Sequence, residues 1–128
     1  MILVDTSAWI DFFRGKGPLA DRVDDALASN EAALCGPILT ELRRGLRSAS
    51  ERRRVIPLLD GCHQLEQPEK LWEEAGELGY VLARKGTTVK TLDLLIATYA
   101  LSHGVALLAS DFDFDDMRRA GIPLPNAL

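Results

Sequence analysis

Four acidic residues stand at the edges of short apolar runs. Asp5 directly follows Ile2-Leu3-Val4, and Glu41 lies a few residues beyond Ala32-Ala33-Leu34-Cys35. Asp93 precedes Leu94-Leu95-Ile96, and Asp111 comes three residues after Val105-Ala106-Leu107-Leu108. One such acid is most simply a helix cap or a turn residue. Four gathered at one place would be something else. Two bare carboxylates about 4 Å apart repel by roughly 4 kcal/mol at an effective dielectric near 20. Several such pairs would offset much of a typical stability of about 5–15 kcal/mol, so the cluster requires protonation or a bound cation. An all-oxygen ligand set suits magnesium or manganese rather than zinc. Two such ions about 4 Å apart would activate a water and stabilise the leaving oxygen of a phosphodiester.

Whether the acids meet depends on the elements that carry them. Ile2–Val4 reads as a buried strand, and Thr6 or Ser7 can cap a following helix carrying Trp9, Ile10, Phe12 and Phe13, closed by Gly15 and Gly17-Pro18. A helix is expected over Leu19–Ser29, a strand over Ala32–Cys35, and a helix opened by Gly36-Pro37 and running through Ile38, Leu42 and Leu46. A basic helix follows over about Ser50–Leu59, then a third strand over Cys62–Leu65. Pro68 is expected to begin a long helix with Leu71, Ala75, Leu78 and Leu82 on one face, ending at Gly86. Leu92, Leu95, Ile96, Tyr99 and Ala100 have helical spacing up to Gly104, Val105–Leu108 is a fourth strand, and Ile122–Leu124 is a weak fifth with proline inside it.

Strands alternating with helices imply an α/β domain on a parallel sheet. Ligands of such sheets bind outside the carboxyl ends of the strands, which is where all four acids are expected. No repeat, linker or low-complexity segment interrupts the 128 residues, so one domain over 1–128 is expected.

The net charge of −4 argues against non-specific duplex binding, but two divalent cations would offset it entirely. Cys35 and Cys62 fit neither a disulfide framework nor a zinc site and read as buried thiols in a reducing compartment. The first apolar run ends at Asp5, too short for a signal peptide, and no run approaches the roughly 18 residues of a membrane span. A cytoplasmic protein is expected.

His63, near a strand, and His103, at a helix C-terminus, lie away from the acids and offer no paired-histidine mechanism. Arg43, Arg44, Arg47, Arg52, Arg53 and Arg54 hold six of the 15 basic residues, either as a phosphate-tracking surface beside Glu41 or as a solvated helix face with neighbours such as Glu51. Arg44, three residues after Glu41, shares nearly the same helix face. Trp9, Phe12 and Phe13 read as core or partner-groove residues, and Trp72 and Tyr99 as core or dimer contacts. Of the acidic run Asp111, Asp113, Asp115 and Asp116, the last two read as solvated.

Four motifs in order resemble one family. They are Val4-Asp5-Thr6-Ser7, Pro37-Ile38-Leu39-Thr40-Glu41-Leu42-Arg43-Arg44-Gly45, Asp93-Leu94-Leu95-Ile96-Ala97, and Leu107-Leu108-Ala109-Ser110-Asp111-Phe112-Asp113-Phe114. Spacing, order and length resemble a PIN domain over essentially the whole chain, and a lone chain of this size looks most like the VapC toxins of VapBC toxin–antitoxin pairs. The resemblance implies a three-layer α/β/α fold with a mostly parallel sheet of four to five short strands. It also implies a magnesium-dependent endoribonuclease leaving 5′-phosphate and 3′-hydroxyl ends, a homodimer, and inhibition by a VapB-type antitoxin in a larger hetero-oligomer. By position, Asp5, Glu41, Asp93 and Asp111 match the acidic quartet and Asp113 a further metal-binding acid. Thr6 and Ser7 match supporting hydroxyls. The family has threonine or serine two residues before the fourth acid; here that residue is Ala109, with Ser110 beside it.

Two rivals remain. A degenerate PIN fold that only binds RNA or protein would be favoured by Ala109 alone. A receiver-like phosphorylation switch would want a second acid after Asp5 and a late lysine, yet Thr6 follows Asp5 and no lysine occurs after Lys90.

Overall fold

The computed structural model describes residues 1–128. Its centre is a four-stranded sheet in the order β3-β2-β1-β4, built from β1 (Ile2–Val4), β2 (Ala32–Leu34), β3 (His63–Gln64) and β4 (Ala106–Leu108). Every pairing is parallel: Leu3 opposes Ala33 on one side and Leu107 on the other. Strand β1 thus lies between the second and the last strand of the chain: the chain steps from β1 to β2 and β3 on one side, then crosses back to place β4 on the other. That reversal opens a crevice at the carboxyl ends of β1 and β4.

Seven helices flank the sheet: α1 (Thr6–Arg14), α2 (Ala20–Ala28), α3 (Gly36–Arg44), α4 (Ala49–Asp60), α5 (Leu71–Arg84), α6 (Thr91–His103) and α7 (Phe112–Arg119). Helix α6 is buried on most of its circumference, with Leu94, Ile96, Ala97, Thr98, Tyr99 and Ala100 all inside. A residue in its first turn is therefore carried into the interior. Helix α5 approaches it closely at Gly79, where a side-chain carbon would stand 2.8 Å from Leu94 Cδ1.

Three expectations need correction. Ile122–Leu124 is not a strand, because prolines at 123 and 125 remove backbone donors. The chain instead reaches the edge of β4 slightly later, where Leu107 pairs with Asn126 in an isolated parallel bridge. Helix α5 begins at Leu71 rather than Pro68, the intervening turn closing with the Leu71 N–H on the Pro68 carbonyl at 3.1 Å. The cap of α1 is neither Thr6 nor Ser7 but Asp5, whose carboxylate accepts the Ser7 N–H.

Candidate active site

Each acid arrives from a different element. Asp5 ends β1, and its own N–H donates to the Leu108 carbonyl of β4 at 3.0 Å, so the two strand ends are tied where the acid stands. Glu41 sits mid-way along α3, Asp93 in the first turn of α6, and Asp111 at the N-cap of α7. Asp5, Glu41, Asp93 and Asp111 line one cavity of about 240 Å³ together with Thr6, Ser7 and Lys90. The four segments do converge.

The tightest group is not the quartet itself. Carboxylate oxygens of Asp93, Asp111 and Asp113 lie within 4.8 Å of one another. Asp5 and Glu41 line the same cavity outside that tight group. Asp113 therefore belongs with the inner acids: as the second residue of α7, in the turn just inside the Asp111 cap, it stands beside Asp93. The Asp111 carboxylate accepts the Asp113 N–H at 2.9 Å, which fixes the geometry of that turn.

Burial sets the electrostatics. Asp5 is 4 % and Asp93 5 % exposed, the only buried acids of the chain. Burial pushes the Asp93 carboxyl up to about 7, aided by Asp113 and Asp111, with Lys90 opposing. Asp5 is also raised, chiefly by burial; bonds from Ser7 lower it, and Glu41 and Asp111 raise it further. One Asp93 oxygen, Oδ2, is fully buried and has no hydrogen-bond partner. A buried, unpartnered carboxylate oxygen is costly. Surrounded by further carboxylates, it is a donor set suited to a hard divalent cation.

The hydroxyls hold the acids. Thr6 Oγ1 donates to Glu41 Oε1 at 2.8 Å, and Ser7 Oγ donates to Asp5 Oδ2 at 2.7 Å. Ser7 Oγ in turn accepts the Ser110 N–H at 3.0 Å, clasping the segment after β4 to the start of α1. Ser110 thus contributes through its backbone, a bond any residue but proline could make. Ala109 is partly buried and packs against the core.

One residue escaped the sequence reading. Lys90, the residue before α6, holds Nζ 3.5 Å from Asp111 Oδ2 and 3.6 Å from Asp93 Oδ2, while its N–H donates to Asp113 Oδ2 at 3.3 Å. A lone exposed lysine carries no signal in a sequence; only its place ahead of Asp93 could have drawn notice.

Other expected residues lie elsewhere. Arg43, Arg44 and Arg47 are exposed around the end of α3, none in an ion pair, and the Glu51 carboxylate accepts the Arg47 N–H rather than an arginine side chain. Only Arg44 shares a cavity with Glu41. Asp115 and Asp116 are not simply solvated: they pair with Arg118 and Arg119. Cys35 and Cys62 are buried free thiols, pushed by burial to about 12 and about 11. His63 and His103 bond backbone carbonyls, of Asn30 and Glu66. Trp9 is fully buried and Tyr99 nearly so, whereas Trp72 is not in the core at all. No helix is long and apolar enough to cross a membrane.

Known proteins show the same organisation. The family model described as the PIN domain matches residues 2–120. Ribonuclease VapC11 of Mycobacterium tuberculosis and VapC ribonuclease Mb1587 of Mycobacterium bovis are each 36 % identical over 124 residues, spanning 93 % of this chain and 92 % of theirs. In structure, VapBC2 from Rickettsia felis, solved bound to a DNA fragment from their promoter, superposes with a TM-score of 0.75 at 21 % identity, covering 91 % of this chain and 93 % of that one. The chain belongs to the PIN-domain family and, within it, to the VapC ribonucleases.

Proposed function

We propose that this chain is a divalent-cation-dependent endoribonuclease and the toxin of a type II toxin–antitoxin pair. The observation that carries the reading is the buried oxygen of Asp93, which accepts no hydrogen bond, within a cluster of carboxylates drawn from four separate segments. The ribonuclease names of its relatives support the substrate class. Asp93, Asp111 and Asp113 would hold the principal ion, with magnesium the expected identity and manganese able to replace it. Asp5 and Glu41, braced by Ser7 and Thr6, would complete the shell or hold a second ion. Such an ion would supply positive charge to the phosphodiester and its leaving oxygen and would raise the acidity of the attacking water. Glu41 and Asp111, the less buried acids, orient that water for in-line attack. Bond cleavage leaves a 5′-phosphate on one fragment and a 3′-hydroxyl on the other. Lys90 neutralises the inner acids and offers Nζ to the incoming phosphate. Arg43, Arg44 and Arg47 would track the RNA backbone beyond the crevice.

A single domain over 1–128, a cytoplasmic location, a homodimer, and a VapB-type antitoxin that joins it in a larger hetero-oligomer belong to the same proposal. The test is to incubate the purified chain with total RNA, with magnesium or with a chelator, and map the new ends. Discrete 5′-phosphate ends that require magnesium and vanish in Asp93→Asn are expected. Equal cleavage in chelator, or none in magnesium, would overturn the reading.

A further inference from the structure

A second cavity of about 460 Å³ lies beside the acidic crevice, and Glu41 and Leu92 line both. Its size falls within the roughly 300–1,000 Å³ typical of small-ligand sites. Leu95 and the buried Tyr99 of α6 contribute an apolar part of its lining, and Arg44, Gln67 and Trp72 a more exposed part. We propose that this groove is a nucleobase subsite, in which a base of the RNA next to the scissile phosphate stacks on Trp72 while Arg44 and Gln67 contact its polar edge. The inference rests on the ribonuclease reading above and adds to it the device that selects where the strand is cut.

Trp72 is 62 % exposed, an unusual state for the largest apolar side chain, and the other tryptophan of the chain, Trp9, is fully buried. Stacking suits an exposed indole because every base has an apolar face, and such contacts strengthen binding by roughly 5- to 150-fold per base. Arg44 has no acidic partner, so its guanidinium is free to meet a base edge or phosphate. Gln67 carries both donors and an acceptor.

The segment leading into Gln67 is held at the two residues before it. The Leu65 N–H donates to the Leu34 carbonyl at 2.8 Å, and His103 Nε2 lies 2.7 Å from the Glu66 carbonyl oxygen. That anchoring leaves the groove formed before any ligand arrives. Continuity through Glu41 favours RNA over a second copy of the chain as the occupant. A protein seated here would close one wall of the crevice that a phosphodiester must enter.

The test uses the full chain and a fluorescently labelled short RNA that the wild type cleaves. In an Asp93→Asn background, which binds without cutting, Trp72→Ala should weaken Kd by roughly 5- to 150-fold, and Trp72→Phe should restore most of the loss. RNA should quench the fluorescence of the parent, since buried Trp9 is shielded and Trp72 is not. With Asp93 intact, Gln67→Ala should cut at additional sites and raise KM at the preferred one. Wild-type cleavage in magnesium with unchanged sites, KM and Kd in all three variants would overturn the subsite alone and leave the ribonuclease standing. Dissociation of a dimer by Trp72→Ala, with Gln67→Ala cutting as before and no quenching, would assign the groove to a second copy. A wild type that cuts no RNA would remove both readings.

Discussion

Helix α7 and its cap hold four aspartates within six residues, and they fall into two pairs of opposite character. Asp115 and Asp116 each pair with an arginine three residues on, Arg118 and Arg119, at the surface. Asp111 and Asp113 face the buried Asp93 instead, and this inner group shares a single cation, the exposed Lys90. Residue type, local sequence and helix are the same. The outer pair is neutralised within its own helix; the inner pair is aimed at a carboxylate carried in on another one. Charge left unbalanced across elements, rather than acidity along the chain, is what marks the site.

Breaking the inner group should have the largest effect. Asp93→Asn should lower RNA cleavage by at least about a hundredfold, whereas Asp116→Asn should leave the rate essentially unchanged; initial rates on one defined RNA would compare them. Cation binding should separate the pairs next. At a hundredfold excess over Kd, magnesium should stabilise the folded chain by about 2.7 kcal/mol, on the order of 10 °C in Tm. The double variant Asp115→Asn, Asp116→Asn should keep that increment and Asp93→Asn should lose it.

A pH series in chelator would sharpen the contrast. Asp93 titrates near 7 in the folded chain against 3.8 for an ordinary aspartate. Below 3.8 the carboxyl is protonated in both states and stability is at its fullest on this account. As pH rises towards 7 the unfolded chain gives up that proton while the folded chain retains it, so stability falls through this window. The upward shift of Asp5 acts in the same direction. Thermal melts between pH 4 and 8 should show the decline, flattened in Asp93→Asn and reversed by magnesium. The smallest effect belongs to the outer pair: Arg119→Ala should change stability by less than about 1 kcal/mol, as exposed ion pairs do.

Much of this was legible in the residues. Short apolar strands alternating with helices imply a parallel sheet, and the acids at their ends could then only meet along one edge. Asp5, Glu41, Asp93 and Asp111 do line one cavity. Asp113, expected as a further metal-binding acid, stands beside Asp93 and Asp111 at the start of α7. What escaped was whatever depends on exact register. Asp5 rather than its hydroxyl neighbours caps α1, because its carboxylate can turn back to the Ser7 N–H. Lys90 and Trp72 have no periodic pattern to betray them; each matters only through a cavity made by distant segments. The expected strand at Ile122–Leu124 failed because apolar residues without backbone donors cannot make a ladder.

The starts of α1, α6 and α7 meet at the crevice, since Asp5 and Asp111 are caps and Asp93 lies in the first turn. Each helix directs a fractional positive charge, carried by its aligned peptide dipoles, towards the carboxylates it bears, worth about 0.3–1 kcal/mol apiece. The backbone itself is thus a permanent counter-ion. These fractional charges offset part of the mutual repulsion of the acids and leave the remainder to the ion, so the crevice is drawn together before loading and tightened by it.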